Sequence, residues 1–519
     1  MKKLLFSLIL ASSFVVLNAQ TSTEFDGYAL YNQQNENTTY LIDKDGDIAH
    51  TWNNDLTCNY TVLLKSNGNI VRGAKNPGNI LGGAAEGGRI QEIAPDGSIV
   101  WDFTYSNASH LSHHDITLVN DNVMLTAWEV KSESELTQAG YDDASSDKWP
   151  THFVEVAHDG SGGGQIVWEW HLWDHLIQDH DSSKDNYGVV AEHPELIDIN
   201  MLPQMGGGPG GGPGGGPGGG ASGGDWFHVN GINYNADLDQ IAFSSRHASE
   251  VYIIDHSTTT NEAASHTGGN SNQGGDLLYR WGNPSNYGAP GSQQISDAVH
   301  DVRWITNDGR PNGGFLQFYN NNGGGSSTST VDAIETPMNG YNYNLVPGQA
   351  YEPSSHTWRH TCNGYASGQS SQNSMSNGNV FVNISGGQGG SGYMYEADSV
   401  GNVIWQYNAG GTPKAFRYEC DDLGIIALLD NPCDSNNQSL TEEDLNQIVI
   451  SPNPSNGLFN ITGIHSKEFT ITIVNTFGQM IKKQNSAHID LSDYSNGLYF
   501  INIEDENSVS TLKSVSLTK

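Results

Sequence analysis

Three histidines recur at one position of a repeated pattern, and imidazole is the side chain that can act as acid, base or nucleophile near neutral pH. Each lies seven residues before an asparagine, in what reads as a strand entering a turn: His113 to Asn120, His228 to Asn235 and His300 to Asn307. The same register recurs without histidine at Tyr60 to Asn67 and Ser370 to Asn377. Because equivalent strands of a symmetric fold converge in space, the register predicts a cluster of imidazoles.

The stretch around the second histidine adds side chains that bind anions. Asn230 shares the His228 face of a strand by alternation, and Arg246 returns eighteen residues after His228. A guanidinium offers a planar fork of donors and stays charged, which suits a tetrahedral oxyanion such as sulfate or phosphate. In a regular strand His114 points away from the His113 face, but a bulge would exchange the two, so both stay candidates.

The composition excludes some partners and indicates export. The formal charge is −36, from 22 Lys and Arg against 58 Asp and Glu, which repels nucleic acid and anionic membranes. Residues 1–19 combine Lys2 and Lys3 with a short apolar run and a small-residue exit. This pattern predicts a secretory signal peptide rather than a membrane span, and therefore an exported soluble protein.

Four cysteines in an oxidising compartment allow two disulfide bridges. The Cys420 and Cys433 pair is the favoured local bridge, and the sequence leaves the connectivity of Cys58 and Cys362 open. Neither a CxxC nor an HExxH spacing occurs, so we predict no metal centre. The roughly helical spacing of His171, His175 and His180 suggests a metal, but an ordered channel-side loop is the favoured interpretation.

Repeats predict the architecture. Each repeat begins with an inner strand that runs into a polar turn. A hairpin around an Asp-Gly turn follows, such as IQEIAPDGSIVWDF (90–103). Four strands per repeat are typical of a propeller blade. The inner strands start at Tyr60, His113, His228, His300 and Ser370, with 414–430 as a sixth, while 28–52 has outer strands only. We expect an all-β, six-bladed β-propeller closed by N- and C-terminal strands, with the histidines facing its central channel.

Composition breaks set the predicted boundaries. The propeller covers 20–433 and carries a Gly/Pro-rich insertion at 206–220, which cannot bury a core. A polar linker follows at 434–447, and apolar alternation over 448–519 predicts a small β-sandwich.

The last segment resembles the C-terminal sorting domain of the type IX secretion system. The resemblance rests on PNPSNG, then a strand ending in FGQ, then LSDYSNGLYFINI, then a Lys-containing terminal strand. It implies that the type IX machinery is a partner and that the protein is secreted or placed on the cell surface.

The repeats resemble the bacterial aryl-sulfate sulfotransferase family. The matching stretches are HHDITLVNDNVML (113–125), DWFHVNGINYNADLDQIAFSSR (225–246), AVHDVRWI (298–305) and NGNVFVNISGGQGGSGYMYEADSVGNVIWQY (377–407). The family has a six-bladed propeller and passes sulfate from a phenolic sulfate donor to a phenolic acceptor. The resemblance therefore implies a sulfotransferase that uses neither a nucleotide donor nor a cofactor.

Carried over by position, the resemblance assigns roles. His300 matches the nucleophile that becomes a transient sulfohistidine, and His113 with His114 matches a further channel histidine. His228, Asn230 and Arg246 match the group that holds sulfate oxygens, and Ser370 falls where the family has a small hydroxyl residue. The sequence departs from the family in lacking a separate β-sandwich before the propeller and in its Gly/Pro-rich insertion.

Two other functions remain open from the sequence. The sorting tail and the insertions also fit a non-catalytic propeller that binds an extracellular glycan or sulfated polymer. A quinone-dependent dehydrogenase is less favoured, because the sequence has neither a quinone-stacking constellation nor a clear calcium site.

Overall fold

A computed structural model describes residues 25–202, 224–290, 294–325, 327–386, 391–430, 432–434, 448–463, 469–476, 479–505 and 510–519. The predicted signal peptide (1–19) and the Gly/Pro-rich insertion (206–220) lie outside the described residues, as does the predicted linker after its first residue. Among the described residues, no helix has the length and apolar character needed to cross a bilayer.

Residues 27–419 form six four-stranded antiparallel sheets, which we number along the chain. Sheet 1 contains, in spatial order, Ala415–Glu419, Gly27–Asn32, Thr38–Ile42 and Ile48–Asn53. Sheet 2 contains Cys58–Leu64, Ile70–Lys75, Gly88–Ile93 and Ile99–Thr104. Sheet 3 contains His110–Val119, Asn122–Glu129, Thr151–His158 and Gly164–His171. Sheet 1 thus joins the two ends of this region.

The remaining three sheets repeat the same strand order. Sheet 4 contains Val229–Asn235, Gln240–Ser245, Glu250–Asp255 and Leu277–Trp281. Sheet 5 contains Val299–Trp304, Leu316–Asn320, Thr330–Ile334 and Trp358–Thr361. Sheet 6 contains Ser371–Ser374, Val380–Ile384, Tyr393–Ala397 and Val403–Tyr407.

The first strand of each sheet, which we call the inner strand, contacts the inner strand of the next sheet, and the inner strands of sheets 6 and 1 also touch. Apolar side chains fill the space between neighbouring sheets. Between sheets 3 and 4, Phe153 stacks on Trp170 and meets Phe243 edge-on, both at 5.1 Å between ring centroids. Period-2 alternation explains this packing, because every second side chain of a strand faces the adjacent sheet.

Several inner strands are irregular at their beginnings. Bulges interrupt the pairing between Ser112 and Ile116, between Val229 and Gly231, and after His300. His114 and His228 have left-handed backbone conformations, with φ of 49° and 54°. Such non-glycine conformations cost about 1–3 kcal/mol each and concentrate at functional sites. The bulges therefore decide which side chains face the neighbouring inner strands.

Short elements connect the strands. The helices are Glu133–Ala139, Thr260–Ala263 and Leu423–Leu428, and the 3-10 turns are Leu172–His175, Val190–Glu192, Pro284–Tyr287 and Pro432–Asp434. Two small strand pairs join Leu176–Ile177 to Ile197–Asp198 and Met338–Asn339 to Asn342–Tyr343. The first helix begins with a capping box, in which Ser132 and Glu135 exchange hydrogen bonds.

One of the two possible disulfides forms. Cys420 is bonded to Cys433, as favoured from the sequence, with 5.9 Å between the Cα atoms. Cys58 and Cys362 are both buried. They are not bonded to each other, because Cys58 lies in sheet 2 and Cys362 follows the edge strand of sheet 5.

Residues 448–519 form two further sheets. One contains Val449–Ser451, Leu458–Thr462 and His488–Asp490. The other contains Met480–Gln484, Phe469–Asn475, Gly497–Asp505 and Ser510–Leu517. Phe459 and Ile489 of one sheet share a core with Ile471, Ile501 and Val515 of the other. This is the two-sheet packing expected of a small β-sandwich.

Candidate active site

The predicted histidines meet where the inner strands of sheets 3, 4 and 5 approach each other. The rings of His114 and His228 lie 4.5 Å apart in an edge contact, and His113 Nδ1 lies 2.8 Å from His114 Nδ1. Burial, together with His228 and His113, holds the pKa of His114 well below its usual value. We call His113, His114, His228 and His300 the histidine cluster.

His113 and His114 occupy different surroundings. His113 stacks on Trp128 at 4.2 Å between ring centroids, and burial lowers its pKa to about 3. His114 contacts His228 on one side and the Tyr60 ring, at 5.3 Å, on the other. The bulge in this strand thus turns His114 toward His228 and Tyr60. The sequence had left open whether His113 or His114 takes this position.

His228 is oriented by a carboxylate. Its Nδ1 lies 2.5 Å from Asp225 Oδ2, and the other carboxylate oxygen, Oδ1, accepts from Trp128 Nε1 at 3.0 Å. Burial opposes ionisation of Asp225, but the contact with His228 outweighs it and holds the carboxyl pKa below its usual range. An ionised Asp225 keeps the proton on Nδ1 and directs Nε2 away from itself.

Arg246 supplies positive charge beside the cluster. Its backbone N–H donates to the His228 carbonyl at 3.1 Å, and its Nη2 donates to the Ser367 carbonyl at 2.9 Å. Among the residues that the structure describes, Arg246 forms no ion pair with a carboxylate. A partly buried guanidinium without a counter-ion is suited to hold an anion.

His300 is held on both sides of its ring. Its Nδ1 lies 2.6 Å from Asn321 Oδ1 and 3.0 Å from the Ala298 carbonyl, while its Nε2 accepts the Gln369 backbone N–H at 3.0 Å. Nδ1 faces acceptors and Nε2 faces a donor, so the ring carries its proton on Nδ1. Burial, Arg246 and His228 hold the pKa of His300 well below its usual value, which keeps the imidazole neutral.

Residues of sheets 2 and 6 complete the site. The Gln369 side chain donates to Tyr60 Oη at 2.6 Å and accepts from Ser385 Oγ at 2.5 Å. Burial raises the pKa of Tyr60 to about 12. Ser370 itself is fully buried, and its hydroxyl accepts the Ser385 backbone N–H at 3.0 Å. At this position of the repeat, therefore, Gln369 makes the contacts with the histidine cluster.

Asn230 connects two inner strands. Its Nδ2 donates to the Val299 carbonyl at 2.8 Å, and its Oδ1 accepts from Ser244 Oγ at 2.8 Å. Its amide is thus engaged with the residue that precedes His300. Gly231 allows the same close approach, since a Cβ there would lie 2.8 Å from the Asp301 nitrogen.

A buried ion triad lies beside the histidines. Lys414 Nζ donates to Asp115 Oδ2 at 2.7 Å and to Asp301 Oδ1 at 3.0 Å. The two aspartates directly follow His114 and His300 in the chain. The lysine, which precedes the inner strand of sheet 1, thus fixes the strands that carry two of the cluster histidines.

Several of these residues were missed from the sequence. Asp225 stands three residues before His228, a spacing that could have suggested a carboxylate and imidazole pair. Asn321 and Lys414 carry no such signal, because each reaches the site only through the folded arrangement of the sheets.

The chain matches several solved structures at low sequence identity and low TM-score. A protein of unknown function from Bacteroides caccae is 13% identical, with a TM-score of 0.40 over 76% of this chain and 98% of its own. The β-propeller domain of Cps50 (Swd1) from Myceliophteria thermophila is 8% identical, with a TM-score of 0.34 over 75% of this chain and 88% of its own. The periplasmic gluconolactonase PpgL of Pseudomonas aeruginosa is 12% identical, with a TM-score of 0.34 over 95% of this chain and 99% of its own. No curated protein matched the sequence.

Two family models match the chain. The model described as a secretion system C-terminal sorting domain matches residues 449–516, which indicates export to the cell surface or the medium. The model described as arylsulfotransferase (ASST) matches residues 8–420. The chain therefore belongs to the arylsulfotransferase family and ends in a type IX secretion sorting domain.

Proposed function

We propose that the six sheets are the blades of a propeller closed through sheet 1, and that the protein moves a sulfuryl group from a phenolic sulfate ester to a phenolic acceptor. The transfer passes through a sulfohistidine on His300 and needs no nucleotide donor. Membership of the arylsulfotransferase family supports the reaction class. The sorting domain supports export by the type IX machinery.

One observation carries the assignment of the nucleophile. Both Nδ1 partners of His300, Asn321 Oδ1 and the Ala298 carbonyl, are acceptors, so the lone pair of the neutral ring is on Nε2. A neutral imidazole is a competent nucleophile, and the lowered pKa of His300 keeps it neutral below pH 7. The Gln369 N–H occupies this lone pair in the resting protein, so it must withdraw before attack.

The proposed reaction balances in two halves. In the first, His300 Nε2 attacks sulfur, the bond between sulfur and the phenolic oxygen breaks, and the leaving phenolate takes a proton from His228. In the second, an acceptor phenol returns a proton to His228, its oxygen attacks sulfur, and the bond between nitrogen and sulfur breaks. General acid and base catalysis by a positioned histidine contributes typically about 10²–10⁴-fold, and Asp225 orients His228 for this role.

The other predicted residues take supporting roles in this proposal. Arg246 binds the nonbridging sulfate oxygens, on which the charge of the transferring group resides. His114, between His228 and Tyr60, faces the same space and contacts the substrate, whereas His113 holds His114 in place through the shared nitrogen contact. Asn230 fixes the spacing between the strands of His228 and His300, and Ser370 anchors the turn that presents Gln369.

Mass spectrometry of the protein mixed with an aryl sulfate alone tests the proposal. The expected product is a peptide containing His300 that has gained one sulfuryl group and loses it when a phenol is added. His300→Gln should give no modified peptide, and replacement of the exposed His180 by Gln serves as the matched control. Release of phenol by His300→Gln at the wild-type rate would exclude this nucleophile.

A triple histidine variant separates the catalytic proposal from a binding function. Retention of a sulfated polysaccharide after replacement of His114, His228 and His300, together with no phenol release by the wild-type chain, would favour the non-catalytic propeller.

A further inference from the structure

Three side chains outside the histidine cluster converge between the outer edges of sheets 3 and 4. His175 ends the 3-10 turn that follows the edge strand of sheet 3, and Asp276 immediately precedes the edge strand of sheet 4. His266 lies in the segment that leads to Asp276. One nitrogen from each histidine and one carboxylate oxygen lie within 4.8 Å of one another. The partners of His175 here are thus His266 and Asp276, not His171 and His180.

The hydrogen bonds of His175 are incomplete for a neutral ring. Its Nε2 lies 2.8 Å from the Ala263 carbonyl, which can only accept, so Nε2 carries a proton. Its Nδ1 lies 2.8 Å from Asp276 Oδ1, so the lone pair of a neutral ring would face a carboxylate oxygen. His266 Nδ1 lies 2.8 Å from the same oxygen. A cation between these atoms would resolve the repulsion.

We propose that these residues bind a divalent transition-metal ion of the zinc type, through His175 Nδ1, His266 Nδ1 and Asp276 Oδ1. Two imidazoles and a carboxylate are a donor set that such ions prefer, at about 2.0–2.2 Å from the metal. A ligand histidine usually donates its other N–H to a carbonyl or carboxylate, and the Ala263 carbonyl has this place beside His175.

The surroundings of His175 support a fixed site rather than a chance meeting of side chains. The Trp170 ring stacks on His175 at 5.5 Å between centroids and with 6° between the planes, and Trp170 Nε1 donates to the Gly275 carbonyl at 2.7 Å. A Cβ at Gly275 would lie 2.6 Å from His175 Nε2, so glycine leaves room for the ring. His266 is exposed, which leaves the fourth coordination position open to water.

A bound ion would act as a structural link. Its ligands come from the turn after the edge strand of sheet 3 and from the segment before the edge strand of sheet 4, so it would tie the two sheets together at their rims. Because the metal binds the folded chain, it should raise the thermal midpoint in proportion to the logarithm of its concentration above the dissociation constant.

Metal titration of the full chain, prepared without a polyhistidine tag and stripped with a chelator, tests the site. Equilibrium dialysis against Zn²⁺ should give one ion per chain, and the ion should raise the thermal midpoint. His266→Gln and Asp276→Asn should each weaken binding by at least about 10-fold and reduce the midpoint shift at a given Zn²⁺ concentration. His180→Gln, an exposed histidine from the same region, should behave as wild type.

Two results would overturn the proposal. If the stripped wild-type chain takes up no Zn²⁺, these three side chains do not form a metal site. If binding is equal in the wild type, His266→Gln and Asp276→Asn, the ion lies elsewhere. Circular dichroism of each variant verifies folding, and the readout does not depend on sulfate transfer.

Discussion

The backbone N–H of Gln369 donates to Nε2 of His300 over 3.0 Å. On the other side of the ring, Asn321 Oδ1 lies 2.6 Å from Nδ1. A group from sheet 6 and a group from sheet 5 thus hold one imidazole in one tautomer. Gln369 has φ of 57°, a strained backbone for glutamine, and its side chain is held by Tyr60 and Ser385, so the contact that covers the proposed nucleophile depends on this conformation.

Replacing Asn321 by Asp should make the reaction more sensitive to acid. The carboxylate keeps an acceptor for Nδ1 but favours the protonated ring, so the pKa of His300 rises. A protonated ring has no lone pair on Nε2, and the ratio of the rates at pH 8 and pH 6 should increase about 10-fold or more. Steady-state release of nitrophenol across this pH range measures the effect.

Asn312→Asp is the matched control, because Asn312 lies in the turn at the opposite end of the same hairpin. It adds the same charge away from His300 and should leave the pH profile unchanged. Identical profiles for both variants would contradict the role assigned to Asn321.

Asp225→Asn should slow transfer by about 100-fold, because His228 loses the carboxylate that orients its ring. The loss should be larger for donors whose phenols have a high pKa, since those leaving groups depend on the proton from His228. Rates for a series of substituted phenyl sulfates test this. Asp237→Asn, in an exposed turn of the same sheet, should not change the rate for any donor. An equal loss of rate across the donor series in Asp225→Asn would argue against proton donation by His228.

The stability of the protein should fall as the pH drops from 7 to 5. Burial lowers the pKa of His113 and His152 to about 3 and that of His247 to about 4. Unfolded histidine has a pKa near 6.5, so below that pH the unfolded chain binds protons that the folded chain refuses. The resulting stabilisation is present above about pH 6.5 and is lost progressively toward pH 4.

Two histidines act in the opposite direction. Contacts of His171 with Glu129, and of His256 with Glu155 and Asp239, outweigh burial and raise the pKa of each imidazole. Their stabilising contribution is present at low pH and is lost as the pH rises through the raised values, but they are fewer than the histidines with lowered values. Between pH 5 and 8, the thermal midpoint should rise with pH less steeply in His247→Gln than in the wild type. In His180→Gln it should rise as steeply as in the wild type.

Gly231→Ala should destabilise the protein by about 1–3 kcal/mol, because a Cβ would lie 2.8 Å from the backbone nitrogen of Asp301 and force the inner strands of sheets 4 and 5 apart. Chemical denaturation measures the free energy of unfolding. Gly73→Ala is the control, since its Cβ would meet its nearest neighbour, Asn59, at 3.4 Å. A smaller loss for Gly231→Ala than for Gly73→Ala would show that the approach of the strands is not limiting.

The repeat register predicted histidines that the structure brings together. His228 directly precedes the strand Val229–Asn235 and His300 lies in the strand Val299–Trp304, because a strand position that recurs in each repeat has a recurring location. The register could not choose between His113 and His114, since the choice depends on a bulge in which His114 adopts φ of 49°. The sequence gives no warning of Gln369, whose backbone rather than its side chain contacts His300.

Long-range partners were beyond the sequence for a different reason. Lys414 binds Asp115 and Asp301, from which it is separated by 299 and 113 positions in the chain. Such contacts depend on how sheet 1 meets sheets 3 and 5. The hairpin at 90–103, by contrast, could be predicted from local alternation and its Asp-Gly turn.

Sheet 1 sets the order in which the molecule can be completed. Its inner strand, Ala415–Glu419, is made almost four hundred residues after its neighbour Gly27–Asn32, the separation between Tyr28 and Tyr418 being 390 positions. Until that strand arrives, Gly27–Asn32 has an unpaired edge, and Asp115 and Asp301 lack Lys414. A chain made from its N-terminus therefore completes sheet 1, and the ion pairs of Lys414, only after residue 419 has been added.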